Sequence, residues 1–204
     1  RITAVGPNVT GLEVGKRVVV TLIRACGTCP NCASGKPTIC ETQGADPSPI
    51  QRSAGTAVAQ AMNCGAFAER VVVDQSQVVA LPETMPAEAV ALLACGVITG
   101  VGAVVNAGQL RAGEDVVVIG AGGVGLNAIQ GARIAGARRI VAVDMTEEKL
   151  ATAKAFGATD GVLATGKAPW KDVMRILGRG ADLVAVTVGA IPAYNEALRY
   201  LGWG

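Results

Sequence analysis

The sequence predicts an α/β fold: a doubly wound parallel sheet preceded by a β-rich segment. Three observations lead there. After Gly108, short apolar runs alternate four times with helical patterns, the order expected of a parallel sheet covered by helices on both faces. The turn Gly120-Ala121-Gly122-Gly123-Val124-Gly125 joins the first of these runs to the first helical pattern. Before about residue 81 the period is closer to two, with turn residues between the runs and few helix signals.

Taken in order, residues 1–5 form a strand-like run, and residues 16–23, 67–73 and 77–81 read as strands. Residues 43–55, which contain Asp46-Pro47-Ser48-Pro49, read as a surface loop. Pro86 sits where the first residue of a helix would, and residues 87–94 follow as helix-forming sequence. Residues 89–105 are uncharged and carry a Gly96-x-x-x-Gly100 spacing that resembles a membrane packing face. Spanning needs about 20 apolar residues, and Gly96, Thr99, Gly100 and Gly102 interrupt this run. Two buried helices with a break between them are expected instead, and no membrane span.

The second half begins with Asp115–Ile119, a strand apolar enough to be buried on both faces, followed by a helix over 124–135. Arg139–Asp144 is the next strand, and a helix over 146–156 starts on Thr146 as cap, with Glu147 and Glu148 in its first turn. A strand at 161–163, a helix at 170–177, a strand at 181–188 and a helix at 192–201 complete the alternation. Arg1 opens directly in a strand-like run and Gly202-Trp203-Gly204 follows a helical pattern, so both ends are expected to be internal to a longer chain.

Composition narrows the function classes. The 204 residues carry 18 Lys+Arg against 16 Asp+Glu, and half are hydrophobic, which describes a packed globular protein and not a disordered one. A net charge of +2 without a basic run, and only 3% aromatics, argue against nucleic acid and for a small-molecule partner. There is no His, so no Ser-His or Cys-His nucleophile exists within these residues, and a metal site must rest on Cys, Asp or Glu.

Cys26, Cys29, Cys32 and Cys40 are spaced C-x2-C-x2-C-x7-C. Three thiols fall in one tight turn and a fourth returns after a loop with Gly35 and Pro37, so four thiolates can close a tetrahedron around structural zinc. An iron–sulfur cluster is the nearest rival, but the ferredoxin run has a last gap of three residues and then Pro, whereas here the gap is seven and Glu41 follows. Disulfides are the other rival, disfavoured because the alternating half reads as a cytosolic enzyme. Bound zinc would hold together a loop too polar to fold alone.

The G-x-G-x-x-G turn is a weak signal by itself, but it follows an apolar strand, opens a helix, and has Asp144 at the end of the next strand, 19 residues after Gly125. That is the pattern of a Rossmann dinucleotide site. Gly120 makes the tight turn, Gly122 lets the backbone approach the pyrophosphate, Gly125 permits close helix–strand packing and the helix N-terminus supplies partial positive charge, with Gly123 and Val124 also expected to border the cofactor. Asp144 should meet the ribose hydroxyls and repel a 2′-phosphate, which argues NAD over NADP. Arg138 and Arg139 lie at the opposite end of that strand. Val188 and Gly189, at the carboxyl end of the fourth strand, should border the cofactor.

The chain resembles the zinc-containing medium-chain alcohol dehydrogenases over nearly its whole length. Three motifs carry the resemblance in the family's order: the four-cysteine lobe, Cys95-Gly96-Val97-Ile98-Thr99-Gly100, and the glycine turn with Asp144. The resemblance implies a partial GroES-like catalytic domain over 1–95, with the structural zinc lobe at 24–42, joined to a partial Rossmann NAD domain over 96–204. It implies that Cys95 is one ligand of a catalytic zinc, that Thr99 sits beside the nicotinamide, that Val124 packs under it and that Lys149 reaches the adenosine ribose. Without it, Cys95 reads as a buried small hydrophobe, Thr99 as a helix-start hydroxyl and Lys149 as a solvated charge. Cys64 matches no motif and reads as a core or loop thiol.

The family's second catalytic Cys, its His ligand and its proton relay would lie upstream of Arg1, and four of the six expected Rossmann strands are present. The implied activity is NAD-dependent hydride transfer to or from an alcohol or aldehyde by a cytoplasmic homo-oligomer, dimer or tetramer, with no nucleic acid or membrane partner. These residues alone would be inactive. The alternatives are a non-catalytic zinc-stabilised NAD-binding module, a thiol-adduct formaldehyde dehydrogenase, and a zinc-free quinone or enoyl reductase, the last disfavoured by the four-cysteine lobe.

Overall fold

The apolar runs after Gly108 pair side by side as parallel strands. The computed structural model describes residues 1–42, 50–58, 60–166 and 168–202, and the chain divides into two compact units, Arg1–Cys95 and Gly96–Gly204. In the second, β3 (Asp115–Ile119), β4 (Arg139–Asp144), β5 (Asp160–Leu163) and β6 (Leu183–Val186) form one sheet in the order β5-β4-β3-β6. All three pairings are parallel, with Val116 opposite both Ile140 and Leu183. Consecutive strands step outward from β3 through β4 to β5, and the chain then crosses back to place β6 on the other side of β3. The switch point therefore lies between the carboxyl ends of β3 and β6, where ligands bind in such sheets.

The period of two sorts the strand residues onto two cores. Val116, Val118, Ile140 and Ala142 pack with Ala128 and Ile129 of α4 (Gly123–Ile134) and with Leu150 and Ala153 of α5 (Glu147–Phe156). Val117, Ile119, Val141 and Val143 pack on the opposite face with Val173 and Leu177 of α6 (Pro169–Leu177), and with Tyr200 after α7 (Ile191–Ala197). Every residue of β3 is buried, whereas β6, with a pairing partner on one side among the described residues, is half-buried throughout. The Thr146 hydroxyl caps α5 by accepting from the Lys149 N–H at 3.4 Å, and Gly157 ends it with φ +118°.

Residues 89–105 differ from expectation. They lie in one uninterrupted helical run, α2 (Ala87–Leu92), a π turn (Leu93–Val97), α3 (Ile98–Gly102) and a second π turn (Ala103–Ala107). By length and composition Ala87–Ala107 is long and apolar enough to cross a membrane, and little of it is buried. Pro86 is the residue before the helix and not its first. The glycines do not break the run, because none of Gly96, Gly100 and Gly102 takes a positive φ. Gly100 instead serves packing: a Cβ there would fall 2.4 Å from the Val124 carbonyl oxygen, so glycine lets α3 lie against α4.

In the first unit, β1 (Val18–Val20) pairs antiparallel with β2 (Val78–Ala80). Asp74 and Gln77 form a capping box just before β2, and the buried Gln77 amide donates to the Thr21 carbonyl at 3.1 Å. Cys64 is buried beside it, its sulfur 3.3 Å from Gln77 Nε2. Residues 67–73 do not form the expected strand: Phe67 and Val72 are 110% and 87% exposed. Residues 1–5 form no strand either, although Ile2 exchanges backbone hydrogen bonds with Gly15 and Lys16. An extended run becomes a strand only when a neighbour takes successive N–H and C=O groups, and along these two runs the described backbone–backbone hydrogen bonds are those of Ile2. Of the expected loop 43–55, residues 43–49 lie outside the described residues, and the remainder includes a bridge between Gln51 and Ala57.

Candidate metal centre and cofactor site

The cysteine lobe is built by local geometry. Gly27, with φ +77°, turns the chain between Cys26 and Cys29, and Cys29 caps the single turn α1 (Pro30–Ala33) that carries Cys32. Gly35, with φ +79°, and a 3-10 turn at Pro37–Ile39 then return Cys40. The four sulfurs lie within 4.8 Å of one another, with Cys26–Cys32 and Cys29–Cys40 both at 4.0 Å. A zinc tetrahedron with Zn–S bonds of about 2.3 Å has S–S edges of about 3.8 Å, so the donor set fits zinc. The same separations are about twice a disulfide bond.

Backbone N–H groups converge on the sulfurs: Cys29 N on Cys26 Sγ at 3.2 Å, Cys26 N on Cys40 Sγ at 3.3 Å and Cys32 N on Cys29 Sγ at 3.5 Å. The Thr42 hydroxyl, then the N–H groups of Thr28 and Cys29, lower the Cys26 thiol to about 5. Cys40 is lowered too, first by Thr42. Cys32 is pushed up to about 12, first by partial desolvation and then by hydrogen bonds with the Cys29, Cys40 and Cys26 sulfurs, and a bound cation would favour its thiolate.

The glycine turn sits at the carboxyl end of β3. Gly120 has φ +98°, and a Cβ on it would lie 2.3 Å from Val188 Cγ1. A Cβ on Gly125 would lie 1.8 Å from the Gly120 carbonyl oxygen. Gly122 and Gly123 are the opposite case: a Cβ on either meets nothing within 4 Å. The turn is thus packed shut beneath and open above, at the N-terminus of the twelve-residue α4, a cradle that fits a pyrophosphate.

Asp144, 8% exposed, ends β4 beside it. Its Oδ2 accepts from the Ala121 N–H at 2.7 Å and its Oδ1 from the Met145 N–H at 2.7 Å. Lys149 Nζ lies 3.9 Å from Oδ1. At the amino end of the sheet, Arg138 pairs with Asp115 and Arg139 with Asp160, so neither is free to meet a 2′-phosphate near Asp144.

The second unit therefore brings Gly120, Gly122, Gly123, Gly125, Asp144, Lys149 and Val188 to one end of its sheet, with Val124 half-buried in the first turn of α4 and Gly189 open beyond β6. Thr99 is exposed on α3. Cys95 is exposed, not buried as its residue type suggested, and among the described residues no group of three His, Cys, Asp or Glu forms around it. Thr187 was missed by sequence reasoning. Its hydroxyl lies 2.8 Å from the Gly120 carbonyl oxygen and 3.1 Å from that of Ile119. The available signal was a hydroxyl at the carboxyl end of the fourth strand.

Two family profiles match: the alcohol dehydrogenase GroES-like domain over residues 1–83 and the zinc-binding dehydrogenase over residues 123–204. The chain is 36% identical to the NDMA-dependent alcohol dehydrogenase of Amycolatopsis methanolica, over 100% of this chain and 57% of that protein. It is 35% identical to the S-(hydroxymethyl)glutathione dehydrogenase of Photobacterium damsela subsp. piscicida, over 100% of this chain and 58% of that one. Among solved structures, the benzyl alcohol dehydrogenase of Acinetobacter calcoaceticus superposes with a TM-score of 0.86 at 30% identity, covering 98% of this chain and 56% of that one. The chain spans little more than half the length of the curated relatives it matches.

Proposed function

The chain belongs to the zinc-containing medium-chain alcohol dehydrogenase family, and on that premise we propose that the whole protein transfers a hydride between NAD and an alcohol or its aldehyde. The observation that carries the cofactor half is Asp144. A carboxylate almost buried at the end of the second parallel strand, and hydrogen-bonded to the glycine turn, is placed to receive ribose hydroxyls and to repel a 2′-phosphate.

In this reading Gly122 and Gly123 leave room for the pyrophosphate, and the N-terminus of α4 meets its charge. Lys149 reaches the same ribose from the first turn of α5, and Val188, Val124 and Thr99 line the nicotinamide side. Cys26, Cys29, Cys32 and Cys40 hold a structural zinc that gives their polar lobe its shape. A catalytic zinc, when bound, would supply a Lewis acid to the alcohol oxygen, and in this reading Cys95 is one of the three protein ligands that such sites keep. The protein acts as a cytoplasmic homo-oligomer on a small molecule, with neither nucleic acid nor membrane as partner. Similarity to an S-(hydroxymethyl)glutathione dehydrogenase favours, as second reading, a thiol-adduct substrate.

Titration of NAD and NADP into the 204-residue chain tests the reading. It is expected to bind NAD more tightly, without alcohol turnover, because it lacks the histidine that the family's catalytic zinc uses. Asp144→Asn should weaken NAD about tenfold and narrow its lead over NADP. An unchanged preference would end the ribose assignment. Metal analysis of the whole protein should find about two zincs per chain, and a value near one would remove Cys95 from the ligands.

A further inference from the structure

We infer that Thr187 is a positioning residue for the cofactor, setting the orientation of the Gly120–Ala121 peptide on which Asp144 and the glycine turn both depend. The inference rests on the NAD reading above. The carbonyl of Gly120 and the N–H of Ala121 belong to a single planar peptide unit, so neither can rotate without the other. The structure holds that plane from both edges. Thr187 Oγ1 meets the Gly120 oxygen at 2.8 Å, and Asp144 Oδ2 accepts from the Ala121 N–H at 2.7 Å.

The hydroxyl has two acceptors in reach, the Gly120 oxygen at 2.8 Å and the Ile119 oxygen at 3.1 Å, and since the Ile119 oxygen also accepts the Thr187 backbone N–H at 2.9 Å, the shorter contact to Gly120 is the one the hydroxyl proton favours. The two side chains come from opposite sides of β3, Asp144 from β4 and Thr187 from just past β6. Packing adds a steric stop. The Thr187 hydroxyl would lie 3.0 Å from a Cβ on Gly120 and 2.8 Å from one on Gly125, so it fills the floor of the turn.

Rotation of this one peptide would withdraw the Ala121 donor from Asp144 and present an oxygen to the carboxylate. Asp144 would then lose one of the two N–H groups that fix its two oxygens, and with it the aim that distinguishes a ribose diol from a 2′-phosphate. The Thr187 hydroxyl acts on ribose selectivity in this way without touching ribose. Hydrogen bonds chained through a peptide also polarise one another, so the two contacts should be coupled.

The test compares NAD and NADP affinities of the wild-type chain with those of Thr187→Val, which keeps the shape and removes the donor, and Thr187→Ser, which restores it. Thr187→Val is expected to weaken NAD by about three- to tenfold and NADP by less, and Thr187→Ser to regain most of the loss. Hydrogen exchange at the Ala121 amide should quicken in Thr187→Val alone. Wild-type chain that binds no NAD would overturn the NAD reading and this inference with it. NAD binding unchanged in Thr187→Val, or NAD and NADP weakened by one common factor, would overturn this inference and leave the NAD reading standing.

Discussion

The cysteine lobe and the glycine turn make opposite use of the chain. The lobe gathers its four sulfurs from one stretch between Cys26 and Cys40, and contains one buried residue, Cys40. The turn draws on the ends of β3 and β4 and the residues after β6, with Ile119 and Thr187 in contact 68 positions apart, and sits on two packed cores. The lobe has little apolar surface to bury, so a cation must supply what packing does not. The turn needs no ligand to hold its form, because Gly120, Asp144 and Thr187 are fixed by the sheet beneath them.

The largest expected effect separates the two directly. Removing zinc with a strong chelator should unfold the lobe, since structural zinc contributes on the order of 10 kcal/mol to folding in zinc-finger peptides. Zinc content should fall together with a rise of four titratable thiols, and new protease cuts should appear within residues 24–42, while NAD affinity changes less than about twofold. Collapse of NAD binding along with the lobe would break the comparison.

A pair of glycine substitutions comes next. Gly125→Ala drives a methyl into the Gly120 carbonyl, which should cost about 3 kcal/mol, lower Tm by roughly 5–10 °C and abolish NAD binding. Gly122→Ala meets open space, so Tm should hold within about 2 °C while NAD weakens roughly tenfold, the methyl standing where phosphate approaches. Equal loss of Tm in both variants would show that the open side of the turn is structural as well. The smallest effect belongs to Lys149→Ala. Its side chain is more than half exposed and its ammonium lies 3.9 Å from Asp144, so NAD affinity should fall only about two- to fourfold, and less in high salt.

Legibility followed the same division. The lobe could be read from spacing, because ligands within a few residues of one another have few ways to meet. The parallel sheet could be read from alternation, because strands buried on both faces must be apolar throughout, as β3 is. Strands 67–73 and 1–5 could not, since extended, apolar-rich sequence states a preference and pairing needs a neighbour. The glycines of residues 96–102 read as helix breakers because intrinsic propensity counts against them. Contact between α3 and α4 reversed that reading, and Gly100 proved to be a packing residue.

By itself the sequence determined the fourfold alternation of strand and helix, the four-cysteine spacing and the glycine turn with its acid, all features whose physics acts over short stretches of chain. Only the tertiary structure decided that Gly122 opens on space while Gly125 is walled in, that Cys95 lies exposed, and that Thr187 and Asp144 hold one peptide between them. Those facts depend on which strand ends the crossover from β5 to β6 brings together, and side-chain spacing along the chain carries no record of that meeting.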